Sequence, residues 1–356
     1  MTTSGAVLEA VDLTKDFSLS HGLKRSRLRA VDEVSFRLDR KKVVALVGES
    51  GSGKSTVARM LAGQESLTKG HVHLDGLPVD LRNARAYRAY KAQVQMIFQD
   101  PFASLNSAHT VQYHLRRPLQ LYKARVKTGP IQEQLTRLLE QVRLVPSSEF
   151  LPKYPHELSG GQRQRVAIAR AIAVEPKVLL ADEPVSMLDV SIRLEILSLL
   201  DVLRDRLELA MLYVTHDIAS ARYFADQILV MYAGRIVERG PAEDVTQRPA
   251  HPYTQLLVAS APDPDDLGNL APVAGRSINR TTKSPASVEA AGCLFWARCP
   301  LAQDRCRDEK PRVVPVGADR SAACWRADEA MAMTGLNPAN VQVTAKAEEV
   351  VKRFPS

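Results

Sequence analysis

The densest chemistry in the chain lies in nine residues, Gly48-Glu49-Ser50-Gly51-Ser52-Gly53-Lys54-Ser55-Thr56. A glycine-bearing turn lets successive backbone N–H groups point into one anion-sized hollow, and a helix that begins there adds its positive dipole end. Gly51 and Gly53 permit that turn, Lys54 is spaced to reach β- and γ-phosphates, and the Ser55 hydroxyl can ligate Mg²⁺. The string fits G-x-x-x-x-G-K-[ST], the phosphate-binding P-loop, and points to a nucleoside triphosphate. Other polar groups stand at the ends of short apolar runs. Gln99 closes 93–99 before Asp100-Pro101 and could ligate Mg²⁺ or hold a water. Asp182-Glu183 closes 178–184: Asp182 is suited to hold Mg²⁺ from its outer sphere or through water, Glu183 to polarise an attacking water. His216 follows the apolar run 210–215; a lone histidine there is either structural or part of the site.

Elements must position these groups. Val43 to Val47 has the β-branched composition of a buried strand, and Val57, Met60 and Leu61 after the loop fall at helical spacing. Residues 7–17, 30–38 and 71–75 read as strands, the first ending at Phe17, which either stacks on a purine ring or belongs to the core. Helices are expected over 110–122 and 131–145, the second with Leu135, Leu138, Leu139 and Val142 along one core-facing side. Leu158-Ser159-Gly160-Gly161-Gln162 opens a helix running through Ala173. Ser159 is a favourable N-cap, and the glycines free the first-turn N–H groups to approach a phosphate. Ser186-Met187-Leu188-Asp189 leads into a helix with a stripe of Ile192, Ile196, Leu199 and Leu203. Residues 228–232 and 235–238, joined by Ala233-Gly234, read as a hairpin.

Composition sets the frame. The 356 residues suffice for two domains or one large domain with an extension, and 45% hydrophobic residues permit a full core. No apolar run reaches the roughly 18 residues a bilayer requires, and Met-Thr-Thr-Ser-Gly lacks the regions of a signal peptide, so a cytosolic protein is expected. The net charge of +8 suits an anionic partner without choosing among nucleotide, nucleic acid and lipid. Lys24, Arg25, Arg27 and Arg29, without interleaved aromatics, read as a solvated loop. Past about residue 245 the texture changes, and 261–290 is rich in Pro, Asp, Ser, Thr and Gly, as a linker is. The expected divisions are 1–245 (with a helical part over about 100–160), a linker with the His251-Pro-Tyr-Thr254 segment over 246–290, a four-cysteine segment 291–326 and a polar tail 327–356 with a short helix near Ala345–Arg353.

The order P-loop, Gln99, Leu158-Ser-Gly-Gly-Gln162, Asp182-Glu183, Ser186 to Asp189, His216 resembles the nucleotide-binding subunit of ATP-binding cassette (ABC) transporters over residues 7 to 240. A P-loop alone would also admit kinases, GTPases and helicases. Leu-Ser-Gly-Gly-Gln excludes them. The resemblance implies an α/β fold: a RecA-like P-loop core with an antiparallel β lobe, a helical subdomain and a cysteine-bearing carboxy-terminal extension. It implies two such subunits clamped head to tail, with ATP between the P-loop of one and Ser159, Gly160, Gly161 and Gln162 of the other. Glu183 is then the catalytic carboxylate, Gln99 the Mg²⁺ and water contact that senses the transporter, and His216 the γ-phosphate switch. Gln99-Asp-Pro-Phe-Ala-Ser-Leu-Asn106, Tyr154-Pro-His-Glu-Leu158, His251-Pro-Tyr-Thr254 and Gly292-Cys-Leu-Phe-Trp-Ala-Arg-Cys-Pro300 look like the oligopeptide/dipeptide importer branch. That branch implies a partner ATPase (identical or paralogous), two membrane permeases, an extracytoplasmic binding protein and a place on the cytosolic face of the membrane. Nickel-chelate or oligosaccharide import and a soluble ABC ATPase on nucleic acid or ribosomes are the alternatives; two cassettes in one chain or a long heptad region, which the last would show, are lacking, so no direct nucleic-acid contact is expected. Lys41-Lys42, Ser107, Phe17, Val185 and Met187 depart from the usual pattern. None removes a catalytic side chain, and the last two bear on subunit pairing.

All four cysteines lie between 293 and 324, spaced C-x5-C-x6-C-x17-C. Disulfides do not suit a reducing cytosol, and structural zinc favours C-x2-4-C pairs. A [4Fe–4S] cluster on Cys293, Cys299, Cys306 and Cys324 tolerates the wider gaps and is the expectation here, with zinc the alternative. Phe295 and Trp296 would shield it, and Arg298, Arg305 and Arg307 would offset its charge.

Overall fold

The computed structural model describes residues 6–21, 24–80, 83–122, 129–260 and 291–333. The expected linker over 261–290 and the helix near Ala345–Arg353 lie outside the described residues. In chain order come β1 (Ala6–His21), β2 (Lys24–Asp39), β3 (Val43–Val47), α1 (Lys54–Leu61), β4 (Lys69–Leu74) and β5 (Leu77–Pro78). Then follow α2 (Ala84–Gln93), β6 (Val94–Ile97), α3 (Pro101–Ser104), α4 (Val111–Leu121), α5 (Ile131–Gln141), α6 (Ser147–Phe150) and α7 (Gly160–Ile172). Next are β7 (Val178–Asp182), α8 (Val190–Leu207), β8 (Ala210–Thr215), α9 (Ile218–Phe224), β9 (Gln227–Tyr232), β10 (Arg235–Pro241), α10 (Ala242–Gln247) and α11 (Pro252–Ala259). The cysteine segment holds α12 (Asp304–Asp308), β11 (Val314–Gly317), β12 (Arg320–Ala322) and α13 (Ala327–Ala332). These elements fall into two compact units, one from Met1–Leu13, Glu33–Ala45 and Ser55–Thr215, the other from Thr14–Asp32, Leu46–Lys54 and His216–Ser356.

In the first unit β6, β7 and β8 run parallel, with Val94, Val178 and Ala210 level at one end and Ile97, Ala181 and Tyr213 level near the other. Every residue of β7 and β8 is buried, which is why they read as unbroken apolar runs. Helices α4 and α5 pack on α7. Leu135, Leu138, Leu139 and Val142 are all buried along that seam, as their spacing predicts. An antiparallel region belongs to the same unit: β4 pairs with β5, the Asp75 N–H donates to Val7 O at 2.9 Å, and the Ser35 hydroxyl bridges the Asp12 carboxylate and N–H at 2.7 and 2.8 Å.

In the second unit the basic run is not a solvated loop but part of β2. Arg29 donates to both oxygens of Asp16 at 2.8 and 3.2 Å and to Asp32 at 3.2 Å, so its charge is neutralised on the strand. Burial would push the Asp32 carboxyl up, but Arg235 at 2.5 Å, with Lys310 and Arg29 nearby, holds it below the usual range. The hairpin β9–β10 forms as expected and continues where no strand was expected: β12 pairs with β10, and β11 with β12. The cause is Glu238, a charged side chain on β10 with 0% exposure. Its carboxylate accepts from Arg320 on β12 at 2.7 Å and from the Ala250 and His251 N–H groups at 2.9 Å each. A buried carboxylate with this many donors ties β10, β12 and the entry to α11 together. The His251 ring then caps α11, its Nδ1 accepting from the Tyr253 N–H at 3.0 Å. Burial pushes that imidazole down to about 3, so it is neutral.

Truncating one partner of such a pair leaves the other charge dry and unpaired, at a cost of about 3–5 kcal/mol. Glu238→Ala should therefore lower the unfolding free energy of the second unit by about that much, and Glu238→Gln by less. Both tryptophans, Trp296 and Trp325, lie in this unit, so denaturant unfolding followed by their fluorescence measures it. A loss under about 1 kcal/mol for the alanine variant would show that the pair is not what holds β12 in place.

Candidate functional site

The glycine-rich loop leaves β3 at Val47 and curls around one cation. Lys54 is buried, its ammonium donating to Gly48 O at 2.8 Å and Glu49 O at 2.9 Å. Gly53 has φ +103°, and a Cβ there would stand 2.3 Å from Ala30 O, so no other residue fits. Gly51 has φ +81° but open space around it. Ser52 Oγ is buried and lacks a hydrogen-bond partner. An orphaned buried hydroxyl in a glycine-rich loop is what a phosphate oxygen would satisfy. Ser50 is exposed and Thr56 half-buried. Phe17 is half-buried, with the Lys15 ammonium 4.9 Å from its ring centroid.

In the first unit, level strand ends bring the predicted polar groups together. Ser55 Oγ donates to Asp182 Oδ1 at 2.9 Å, and Asp182 is buried. Gln99 Nε2 donates to Glu183 Oε2 at 3.0 Å in an exposed position. A hydroxyl on a carboxylate beside an amide on a second carboxylate is an oxygen-rich set of the kind Mg²⁺ takes. Glu183 itself is left-handed, with φ 46°. Its N–H continues the ladder to Val214 O at 2.9 Å, while its carbonyl accepts from the Ser186 hydroxyl at 3.1 Å. A glutamate held in that sparsely populated region turns its side chain off the strand line, a strain typical of functional positions that no residue pattern announces. His216, exposed, follows β8 directly and opens the last stretch of the second unit.

Ser159 and Gln162 form a reciprocal cap at the start of α7. Ser159 Oγ accepts from the Gln162 N–H at 3.2 Å, and Gln162 Oε1 accepts from the Ser159 N–H at 3.0 Å. Ser159 is exposed and Gln162 half-buried, leaving the helix start open to an incoming anion. Gly161 also has a packing reason, since a Cβ there would lie 2.8 Å from Ile192 Cγ2 on α8.

The four cysteines line one pocket of the second unit together with His251, Phe295 and Trp296. Burial pushes the Cys293 thiol up, Cys299 up to about 12 and Cys324 up to about 11. Among the described residues no three His, Cys, Asp or Glu side chains are grouped closely enough to hold a metal ion, so the expected cluster has no preassembled coordination sphere here. Of the three arginines expected to offset its charge, two lie over tryptophans that line this same pocket and the third reaches the glycine-rich loop. Arg305 stacks 3.6 Å from the Trp325 ring centroid and pairs with Glu309, and Arg307 lies over Trp296. Arg298 binds both carboxylate oxygens of Glu49 at 3.0 and 2.8 Å. Glu49 also donates its N–H to the Tyr253 hydroxyl at 2.8 Å. Neither Arg298 nor Tyr253 stood out in the sequence as a neighbour of the loop, since 249 and 204 positions separate them from Glu49.

Comparison with known proteins agrees with this geometry. The ABC transporter family matches residues 31–186, and the oligopeptide/dipeptide transporter carboxy-terminal region matches residues 237–306. A probable peptide ABC transporter ATP-binding protein of Sinorhizobium fredii is 39% identical over 324 residues, covering 90% of each chain. A di/tripeptide transport ATP-binding protein of Pseudomonas aeruginosa is 39% identical over 327 residues, covering 91% of this chain and 98% of its own. Among solved structures, a dimeric ATP-binding cassette bound to ADP and Pi aligns with a TM-score of 0.58 at 28% identity, over 66% of this chain and 98% of its own. The cbiO1 protein of Clostridium perfringens, part of an ABC transporter complex, aligns with the same score at 27% identity, over 68% of this chain and 91% of its own.

The two loop glycines should respond differently to a methyl group. Gly51→Ala meets only left-handed strain, about 1–2 kcal/mol. Gly53→Ala adds a clash with backbone that cannot move aside, and should lower ATP affinity at least about tenfold more than Gly51→Ala. Titration of ATP onto the two full-length variants checks this, and equal affinities would contradict the close approach at Ala30.

Proposed function

The chain belongs to the ATP-binding subunits of ABC transporters, and from that membership we propose that its ATP hydrolysis drives the import of oligopeptides or dipeptides. The observation that carries the substrate class is the match of residues 237–306 to the oligopeptide/dipeptide carboxy-terminal region, alongside relatives named for peptide transport. In this reading the chain works with a second ATPase subunit, two permeases and an extracytoplasmic binding protein, on the cytoplasmic face of the membrane. Among the described residues no helix is long and apolar enough to cross a membrane, so the permeases would supply the path.

The roles follow from the local chemistry. The loop N–H groups, Ser52 Oγ and Lys54 receive the β- and γ-phosphates, and Phe17 offers its ring face for stacking on the base. Ser55 and Asp182, already hydrogen-bonded, would hold Mg²⁺ with help from Gln99, and the ion would neutralise charge on the phosphates. Gln99 orients the Glu183 carboxylate, which polarises the attacking water. His216 contacts the γ-phosphate. The open Ser159–Gln162 helix start serves ATP bound to the opposite subunit, because this chain's own loop already supplies a phosphate nest. Neither subunit alone completes a site, so nucleotide binding closes the pair and hydrolysis releases it.

Glu183→Gln keeps the shape and the partner Gln99 but removes the base. It should retain ATP binding and lower turnover by at least about a hundredfold in the assembled transporter. Turnover near that of the unmodified protein would remove Glu183 from the catalytic role.

For the four cysteines the proposal is a [4Fe–4S] cluster, with zinc as the alternative, and its support is their convergence on one pocket. A bound cation would supply the positive charge that buried thiols need to ionise. Anaerobic purification followed by iron, sulfide and zinc assays tests it, with about four iron and four sulfide per chain expected. Zinc without labile sulfide would exclude the cluster, and unchanged metal content in Cys299→Ser would exclude the site.

A further inference from the structure

We infer that Arg298 and Tyr253, from the carboxy-terminal half of the chain, position the phosphate loop through Glu49 and so set the affinity for ATP. The inference rests on the ATPase reading above and adds to it two residues that no loop motif contains. Glu49 is the second residue of the loop, and all three of its polar groups are engaged. Its carbonyl accepts from the Lys54 ammonium at 2.9 Å, its N–H donates to the Tyr253 hydroxyl at 2.8 Å, and its carboxylate takes both prongs of the Arg298 guanidinium. The loop's second residue, which helps hold the loop's one cation, is thus fixed from outside the loop.

The anchors are themselves rigid. Tyr253, Phe295 and Tyr232 are buried at 0%, 1% and 6% exposure and pack ring against ring at centroid distances of 4.6, 5.3 and 5.5 Å. The Arg298 guanidinium lies over Tyr232 and Phe295, 5.8 and 5.5 Å from their centroids. Arg298 belongs to the single turn between Cys293 and Cys299, closed by Trp296 N–H to Cys293 O at 3.1 Å and Arg298 N–H to Phe295 O at 3.0 Å. A planar fork held on an aromatic shelf fixes a carboxylate in direction as well as distance.

The Glu49 side chain is 45% exposed, so the ion pair adds little to stability. Its effect falls on the ligand instead. A carboxylate on the second residue of a phosphate loop repels a triphosphate unless a cation neutralises it, and Arg298 does so while pulling it back onto the shelf. The Tyr253 hydroxyl meanwhile holds the Gly48–Glu49 peptide, whose carbonyl, that of Gly48, accepts from Lys54 at 2.8 Å.

Three variants of the full-length chain test this, read as ATP and ADP affinity by calorimetry and as KM and kcat in the assembled transporter. Arg298→Ala should weaken ATP binding about tenfold and raise KM to match, with kcat within about twofold, since uniform binding is lost and not transition-state binding. Adding Glu49→Gln to Arg298→Ala should restore most of the affinity, because the carboxylate that needed neutralising is gone. Tyr253→Phe, which keeps the ring packing, should weaken binding by a smaller factor of about three. Unchanged ATP affinity in Arg298→Ala overturns the inference. So does a loss that Glu49→Gln fails to repair and that tracks a lowered melting temperature, which would mark Arg298 as merely structural. If the unsubstituted chain does not bind ATP, the ATPase reading itself falls, and that result is seen before any substitution is made.

Discussion

Parallel strands joined in register must end level, and the chemistry of the first unit depends on that constraint. With Ile97, Ala181 and Tyr213 side by side, Gln99 and Glu183 each stand two residues further on, past the point where the ladder stops. There the backbone is free to leave the strand. Glu183 does so through a left-handed turn while its N–H still bonds Val214. The apolar runs that build the strands are buried on both faces, so their polar ends are the only place where chemistry can sit. One register error would move Glu183 off Gln99 and Asp182 off Ser55.

The second unit solves a different problem, how to keep a glycine-rich loop in one conformation. Within the loop, Lys54 ties Gly48 and Glu49 together and Gly53 lies against Ala30. Beyond it, the shelf of Tyr232, Tyr253 and Phe295 is held in turn by the buried Glu238–Arg320 pair, which fastens β12 and the start of α11 to β10. The carboxy-terminal segment is therefore part of the scaffold under the phosphate loop, where Arg298 acts, while Arg305 and Arg307 lie over Trp325 and Trp296, two rings that line the cysteine pocket. Burial raises the thiols of Cys293, Cys299 and Cys324, a shift that a positive charge brought in from outside would oppose.

Much of this was legible in the amino-acid order. The P-loop string, the Leu-Ser-Gly-Gly-Gln cap, the buried strands and the leucine stripe of α5 are local patterns, and local patterns are set by backbone sterics, capping and periodicity within a few residues. That is why the cap of Ser159 and Gln162 and the Ala233-Gly234 hairpin appear where their residues put them. Charge runs are less reliable guides. Lys24 to Arg29 looked like a solvated loop because the aspartates that neutralise Arg29, one on β1 and one on β2, carry no mark of their role.

Tertiary structure alone decided what lies next to the loop. The sequence by itself pointed to Gly48 to Thr56 as a phosphate-binding stretch, because the needed N–H groups, cation and hydroxyl are contiguous. It could not pair Glu49 with Arg298 or Tyr253, nor Glu238 with Arg320, because side-chain meetings across 82 to 249 positions depend on how strands are ordered in a sheet. Nor could it assign Arg298 between a cluster of thiols and a distant glutamate. Only the fold, which lays the Arg298 guanidinium over Tyr232 and Phe295, chose the glutamate.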